Sequence, residues 1–260
     1  MKSVAVIILT KNNFNVIKNC LDSFIDKNTY NDIKFYIGDT GSSSKQYNKL
    51  ANYCKEFKYE IELLKFNYYN FARNHNWIIK NRVKEDFVLF CNDDIELIDD
   101  CVTSLRENWE EGLGTIGCKL LFPNKTIQHG GHIHLRCRTA KNVTQYDVSH
   151  KYLNQPDMTL KTEYNVGNTF AFVLIKRDVY LSVGGLNEIY KKCFEDVEFC
   201  ISCTTKKLKH KFVGDTACYH IESVSRNKLS STMDEFDLHH MKQKLRELYE
   251  GKSEKLYDNC

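Results

Sequence analysis

Three consecutive residues, Asn92, Asp93 and Asp94, follow directly on the apolar run Phe87-Val-Leu-Phe-Cys91. A strand that ends in clustered carboxylates delivers negative charge to one edge of a sheet, where repulsion is costly unless a cation or a donor-rich ligand sits there. This arrangement points to a metal held at that edge. Polar residues follow other apolar runs in the same way, Thr10 and Asn12 after Val4–Leu9 and Asp39 after Ile33–Ile37. Farther along, Glu195 and Asp196 open a helical pattern, a position where acidic residues ordinarily serve as caps.

The elements that must position these residues can be read from hydrophobic periodicity. Val4–Leu9 is a continuous apolar run of the kind found in a strand covered on both faces, and Phe14, Ile17, Cys20, Leu21, Phe24 and Ile25 then recur at helical spacing. The alternation repeats: a strand over 33–37, a helix marked by Tyr47, Leu50, Ala51, Cys54 and Phe57, and a third strand through Ile61, Leu63 and Leu64. A helical segment from Phe71 to Val83, the acidic strand over 87–91 and a helix opened by Asp99 and Asp100, with Leu105 and Trp109 on its inner face, complete the first half. The pattern predicts a doubly wound α/β unit of nucleotide-binding type, whose ligand lies outside the carboxyl ends of the strands. Thr10, Asn12, Asp39, Asp93 and Asp94 all fall there.

After Pro123 the periodicity weakens. Residues 132–165 are polar and mixed, which predicts an irregular functional loop or lid. Patterning resumes with a strand over 169–175, a helix over 178–183 stopped by Gly184-Gly185, the helix starting near Glu195, and two short strands over 211–214 and 217–220. An amphipathic helix is expected over 233–249, suited to core packing or dimer contact, with peripheral docking on a membrane surface as a lesser alternative. No linker or internal repeat interrupts the chain.

Composition bounds the function classes. The chain has 260 residues, 42% apolar and 12% aromatic, enough for a sizeable core. Its net charge is only +3, from 37 basic and 34 acidic residues, so nothing global draws it to nucleic acid. Eleven cysteines, an odd number scattered through apolar patterns, read as reduced core residues of a cytoplasmic protein. Cys193, Cys200 and Cys203 with His210 hint at zinc, but a single C-x-x-C without a second pair favours packing. No stretch has the length of a transmembrane span or a signal peptide.

Taken in order, Val6-Ile-Ile-Leu-Thr-Lys-Asn12, Gly38-Asp-Thr-Gly-Ser-Ser43, Phe90-Cys-Asn-Asp-Asp94, the Gly117–Gly131 segment, Gly184-Gly-Leu-Asn187, Phe194-Glu-Asp-Val-Glu-Phe-Cys200 and Tyr219-His220 resemble the family 2 glycosyltransferases. The nearest likeness is to the branch that includes bacterial rhamnosyltransferases. The resemblance covers roughly residues 3–222. It implies a GT-A fold: α/β, a single Rossmann-like, mostly parallel sheet flanked by helices, with a C-terminal acceptor-side portion. The expected division is 1–225 for the transferase domain, 1–122 binding the nucleotide sugar and 123–225 carrying the acceptor side, with 226–260 as a helical tail.

The same resemblance implies roles. Asn92-Asp93-Asp94 stands where the family has its Asp-x-Asp element, so Asp94 would bind Mn2+ or Mg2+, Asp93 would lie near the donor ribose, and Asn92 replaces the first Asp of the strict motif. Asp39 matches the acidic residue that accepts from a nucleobase ring N–H, with Thr10 and Asn12 shaping the same pocket. Arg73 falls in a donor-side segment, where base or phosphate contact and plain surface exposure both remain open. Asp196 matches the catalytic base and Glu195 is placed to contact acceptor hydroxyls. His220 stands where relatives supply a histidine to the metal; His129 and His132 are weaker candidates, and Gln128-His-Gly-Gly131 reads as a turn beside the donor or acceptor.

The implied activity is an inverting, metal-dependent transfer from a UDP- or dTDP-sugar to a glycan, lipid-linked or protein hydroxyl acceptor. Two alternatives stand beside it. A sugar nucleotidyltransferase would want a glycine-rich phosphate loop after the first strand, which Thr10-Lys-Asn-Asn13 is not. A non-catalytic nucleotide-sugar-binding homologue is suggested by Asn92.

Overall fold

Alternate residues of the central strands enter two different cores, which fixes a sheet covered on both faces. In a computed structural model, which describes residues 2–138, 144–221 and 234–250, Val4, Val6 and Ile8 of strand β1 (Val4–Thr10) join one apolar cluster and Ala5, Ile7 and Leu9 the other. The same period of two divides β4 (Phe87–Cys91), with Phe87 and Leu89 on one side and Val88 and Phe90 on the other. Both strands are buried along their whole length, so each reads as a continuous apolar run.

The elements follow in the order β1, α1 (Phe14–Lys27), β2 (Ile33–Asp39), α2 (Ser44–Lys55), β3 (Glu60–Lys65), α3 (Phe71–Asn81), β4, β5 (Ile95–Leu97), α4 (Cys101–Glu107) and β6 (Leu113–Leu121). Then come β7 (Ile127–His129), β8 (His132–Arg138), β9 (Thr144–His150), β10 (Glu163–Asn165), β11 (Phe172–Lys176), α5 (Arg177–Val183), α6 (Glu195–Thr205), β12 (Lys209–His220) and α7 (Glu235–Tyr249). The main sheet runs β10-β12-β6-β11-β4-β1-β2-β3, with β5 on β12 and β7 on β6. Pairings β4-β1, β1-β2, β2-β3 and β6-β12 are parallel, and β11 enters antiparallel between β4 and β6.

Four expectations change. Residues 132–165 are not an irregular lid: β8 and β9 pair antiparallel along seven residues and β10 extends the main sheet. The hydropathy pattern hid this because β8 is inverted, burying His132 and His134 while Ile133 and Leu135 stay half-exposed. Residues 139–143 of that stretch lie outside the described residues. Strand β6 had no counterpart in the expectations, since its Gly114, Thr115, Gly117 and Lys119 break the apolar run although all nine residues are buried. The two short strands over 211–220 are one, with a register shift between Val213 and Ala217. Helix α4 stops at Glu107, and Trp109 reaches the core from beyond it, edge-on to Phe87 at 5.1 Å.

Helix α7 belongs to the body of the chain. Its Met241, Leu245, Leu248 and Tyr249 are buried with Val197 and Ile201 of α6 and Tyr146 of β9, so its apolar face has a partner within the chain. The expected start at Met233 and the boundary at 225/226 lie outside the described residues. No described helix is long and apolar enough to cross a membrane. Nine of the cysteines, Cys20, Cys54, Cys91, Cys101, Cys118, Cys193, Cys200, Cys203 and Cys218, are free thiols. His210 hydrogen-bonds through both ring nitrogens, to the Thr115 hydroxyl at 2.8 Å and the Cys200 carbonyl at 3.0 Å, which agrees with packing and not with a ligand to zinc.

Candidate active site at the carboxyl edge of the sheet

The parallel strands β1, β2 and β4 end side by side, and the polar groups singled out from the sequence stand at their ends, Thr10 and Asp39 as last residues and Asn92-Asp93-Asp94 directly after Cys91. Thr10 pairs in register with Asp39, and the Thr10 hydroxyl donates to Asp93 Oδ2 at 2.7 Å. Desolvation pushes the Asp93 carboxyl up to about 7, the Thr10 hydroxyl acting against it and the Asp94 charge adding to it.

After β2 the chain turns through Asp39-Thr40-Gly41-Ser42, with Gly41 at φ 108°. Asp39 Oδ1 accepts from the amides of Gly41 and Ser42 at 3.2 and 3.1 Å. Its second oxygen, Oδ2, is buried and has no hydrogen-bond partner among the described residues. A buried carboxylate oxygen without a donor costs roughly 1–3 kcal/mol, so this one is shaped to receive an N–H from outside the chain. Asn12, at φ 56°, braces the same turn: its amide donates to the Ser42 hydroxyl at 2.7 Å and its Oδ1 accepts from the Ser43 amide at 2.8 Å. Arg73 sits at the start of α3 behind the cap Asn70, exposed, with its guanidinium 4.8 Å from the Tyr68 ring centroid.

Where β4 ends, Asn92, Asp94 and His220 meet. Three contacts define the histidine: Nδ1 lies 2.6 Å from Gln128 Oε1, and Nε2 lies 3.2 Å from both Asn92 Nδ2 and Asp94 Oδ1. Because a side-chain carbonyl only accepts, His220 places its proton on Nδ1 and turns the Nε2 lone pair toward Asp94. A carboxylate oxygen facing an imidazole lone pair at that distance calls for a positive species shared between them. One oxygen and one nitrogen ligand, with the imidazole oriented by an amide behind it, fit a divalent cation. Gln128 was read from the sequence only as part of a turn; its orienting role depends on β7 lying beside the end of β12, which no local pattern encodes.

Asp196 reaches this edge from the other half of the chain. Helix α6 begins at Glu195 with Phe194 as its cap residue in a left-handed conformation, φ 76°. Asp196 is therefore inside the first turn and does not occupy the cap position. Its Oδ1 lies 2.8 Å from the Val197 amide and its Oδ2 accepts from the Phe170 amide at 3.3 Å. The next residue, Ala171, accepts the Asn92 amide at 2.9 Å. Adjacent peptide units thus tie Asp196 and the Asn92-Asp93-Asp94 turn to one end of the sheet. Glu195 is buried at 8% exposure in the same helical turn.

The approach to Asp196 is held by a residue the sequence did not reveal. The buried carboxylate of Asp237 on α7 accepts from the amides of Lys191, Lys192 and Cys193 at 2.8–3.3 Å, just before Phe194. His240, one turn along, lies 3.2 Å from Glu198. Two clefts, of about 380 and 450 Å³, lie elsewhere, between α3, α5 and α6 and beside α1; the first is lined in part by Glu198, and neither is lined by Asp39, Asp93, Asp94, Asp196 or His220.

The model of the Glycosyl transferase family 2 matches residues 5–182. Among curated proteins, the chain is 25% identical over 235 residues to the O-antigen biosynthesis protein RfbC of Myxococcus xanthus, covering 86% of this chain and 18% of that protein. It is 26% identical over 232 residues to the uncharacterized protein y4gI of Sinorhizobium fredii, covering 86% and 25%. The chain thus spans a quarter or less of the length of these relatives. Among solved structures, GalNAc-T7 with UDP, GalNAc and Mn2+ aligns with a TM-score of 0.68 at 11% identity, over 86% of this chain and 44% of that one. The mannosyltransferase PcManGT from Pyrobaculum calidifontis, with GDP-Man and Mn2+, aligns with a TM-score of 0.61 at 9% identity, over 95% and 70%. At such identities the likeness is one of fold, and that fold is the GT-A type.

Proposed function

The chain belongs to glycosyl transferase family 2, and on that premise we propose that it transfers a sugar from a nucleotide-sugar donor, UDP- or dTDP-linked, to a hydroxyl acceptor with inversion at the anomeric carbon. The observation that carries the reading is the convergence of Asp94, His220 and Asp196 on one end of the sheet, from β4, β12 and α6. Residues 1–122 bind the donor and 123–225 contribute the acceptor side in this reading. The name of the Myxococcus xanthus relative supports a polysaccharide as acceptor.

The donor's base lies against Asp39, whose unpartnered Oδ2 accepts the ring N–H that uracil and thymine both offer. Thr10 and Asn12 keep the walls of that pocket in place, Asp93 faces the ribose, and Arg73 stands at the rim. Asp94 and His220 would hold Mn2+ or Mg2+. The ion supplies compensation for the negative charge that develops on the diphosphate as the glycosidic bond breaks. Asn92, as an amide, adds no charge and leaves Asp94 as the anionic ligand; its Nδ2 contact with His220 Nε2 would give way where that nitrogen takes the ion.

Asp196 accepts the proton of the acceptor hydroxyl. A carboxylate is a weak base toward an alcohol, so the proton moves late, as the new sugar–oxygen bond forms, and the contribution of Asp196 is largely placement. The Phe170 amide aims one oxygen and the Val197 amide the other, while Glu195 orients the acceptor from the same turn.

The test is a panel of UDP- and dTDP-sugars with Mn2+, scored for binding by thermal shift and for slow hydrolysis or transfer, with wild type beside Asp196→Asn. The reading expects wild type to turn over at least one donor and the variant to keep donor affinity without turnover. Donor binding without turnover in either protein identifies a binding homologue instead, and no binding to any donor sinks the proposal.

A further inference from the structure

On the far face of β7 from Gln128 lies a group of side chains that the transfer reaction does not use. His129 at the end of β7, His132 at the start of β8 and His150 at the end of β9 place their ligand atoms within 4.8 Å of one another. Main-chain bonds lock the three into position: the Gly130 amide donates to Lys151 at 3.1 Å, the Lys151 amide to Gly131 at 2.8 Å, and the His132 amide to Gly167 at 2.8 Å. Glycine is required at the turn, because Gly131 has φ 98° and a Cβ there would collide with the Asn165 side chain. Gly167 in turn leaves space for the His132 ring, since a Cβ built on it would stand 3.1 Å from His132 Nδ1.

The rings have the arrangement of a metal site. Three imidazoles bound through one nitrogen each to a tetrahedral ion, at metal–nitrogen distances of about 2.0–2.1 Å, have ring centroids roughly 5.2 Å apart. The observed separations are 5.1, 4.9 and 5.3 Å, with the ring planes crossed at 83°, 77° and 81°. Burial also holds His129 and His132 well below the usual histidine range, in the neutral form a metal requires.

His132 Nδ1 is buried and has no hydrogen-bond partner among the described residues, a penalty on the order of 1–3 kcal/mol that a bound ion would remove. His129 Nδ1 and His150 Nδ1 face each other at 2.7 Å and share a proton. An ion taking both atoms spreads them to about 3.3 Å. The shared proton then passes to His129 Nε2, whose contact with the Thr169 amide, at 3.4 Å, is long enough to yield.

We propose that His129, His132 and His150 form a second metal site, which takes a zinc-class dication and is separate from the edge carrying Asp94 and His220. Three neutral nitrogens and no carboxylate suit Zn2+ and disfavour Mg2+ and Mn2+, which prefer oxygen. The ion ties β7, β8 and β9 together beneath the Thr169–Phe170 segment, whose amides contact His129 and Asp196. Its primary effect is on the rigidity of the acceptor side. The inference stands on this geometry alone and does not depend on the transfer reaction.

The experiment is metal content and Co2+ absorption of the full chain, stripped with a chelator and reloaded with Zn2+ or Co2+ in excess Mg2+. The expected result is one Zn2+ held per chain, intense visible bands of tetrahedral Co2+, and a higher melting temperature with Zn2+. Affinity falls by about 100-fold or more in His132→Ala and in His150→Gln, and is unchanged in Asp94→Asn. His150 is half-exposed at the end of its strand, so His150→Gln keeps the test valid if His132→Ala fails to fold. Retention of Zn2+ by His150→Gln, loss of it in Asp94→Asn, or no Zn2+ held by wild type would each overturn the proposal.

Discussion

Two faces of the same short strand, β7, look onto opposite kinds of chemistry. On one side Gln128 meets His220 beside Asp94 and Asp93, an edge dominated by oxygen and open to solvent-borne ligands. On the other, His129 joins two further imidazoles in a pocket dominated by nitrogen. In the readings proposed above, the oxygen-rich edge suits a hard cation and the histidine pocket a softer one. The difference teaches that one β-strand, through its alternation of faces, can contribute to two chemically different clusters without either sharing a ligand.

That contrast can be broken by substitutions that should act on one side only. The largest effect is expected from Asp196→Asn, which lowers turnover by about 10²–10⁴-fold while donor affinity from thermal shift or calorimetry stays within twofold of wild type, roughly the span of a removed general base. Equal loss of donor affinity would show that Asp196 belongs to the donor edge. Asp94→Asn comes next: Mn2+-dependent donor binding weakens by about 10–100-fold, whereas binding of the nucleoside alone is unchanged. Gln128→Ala sharpens the comparison, since it frees the His220 ring without removing a ligand. It should weaken Mn2+ at the donor edge by about tenfold, and a donor titration at several Mn2+ concentrations reads this directly.

Asp237→Ala is expected to lower unfolding stability by about 1–3 kcal/mol, measured by urea denaturation, because three amides before Phe194 lose their acceptor. Turnover should fall with it and donor affinity should not. The smallest effect is assigned to Arg73→Ala. An exposed guanidinium over an exposed ring contributes about 0.5–1 kcal/mol, so donor affinity should change by less than about fivefold.

How much could be read in advance differed between the first half of the chain and the second. The first half was legible because its strands are buried on both faces and appear as apolar runs, and because Thr10, Asp39 and Asp94 stand within a few residues of where those runs end. The second half was not. β6 buries Lys119 through an ion pair with Asp157, and β8 buries histidines in place of its aliphatic residues, so hydropathy carried the wrong phase. Gln128 and Asp237 gave no local signal, their partners standing 92 and 44–46 residues away in the chain.

The chain's own letters determined the alternation of strand and helix through residue 107, the collection of polar residues at strand ends, and the acidic turn after Phe87–Cys91, since each depends on neighbours within one element. Tertiary structure alone decided that Asp196 hangs from Phe170 beside the anchor of Asn92, that an amide on β7 sets the tautomer of His220, and that three histidines from three strands share one pocket. These are contacts between segments distant along the chain, fixed by strand order and register, and no periodicity of 2 or 3.6 residues can encode which strands become neighbours.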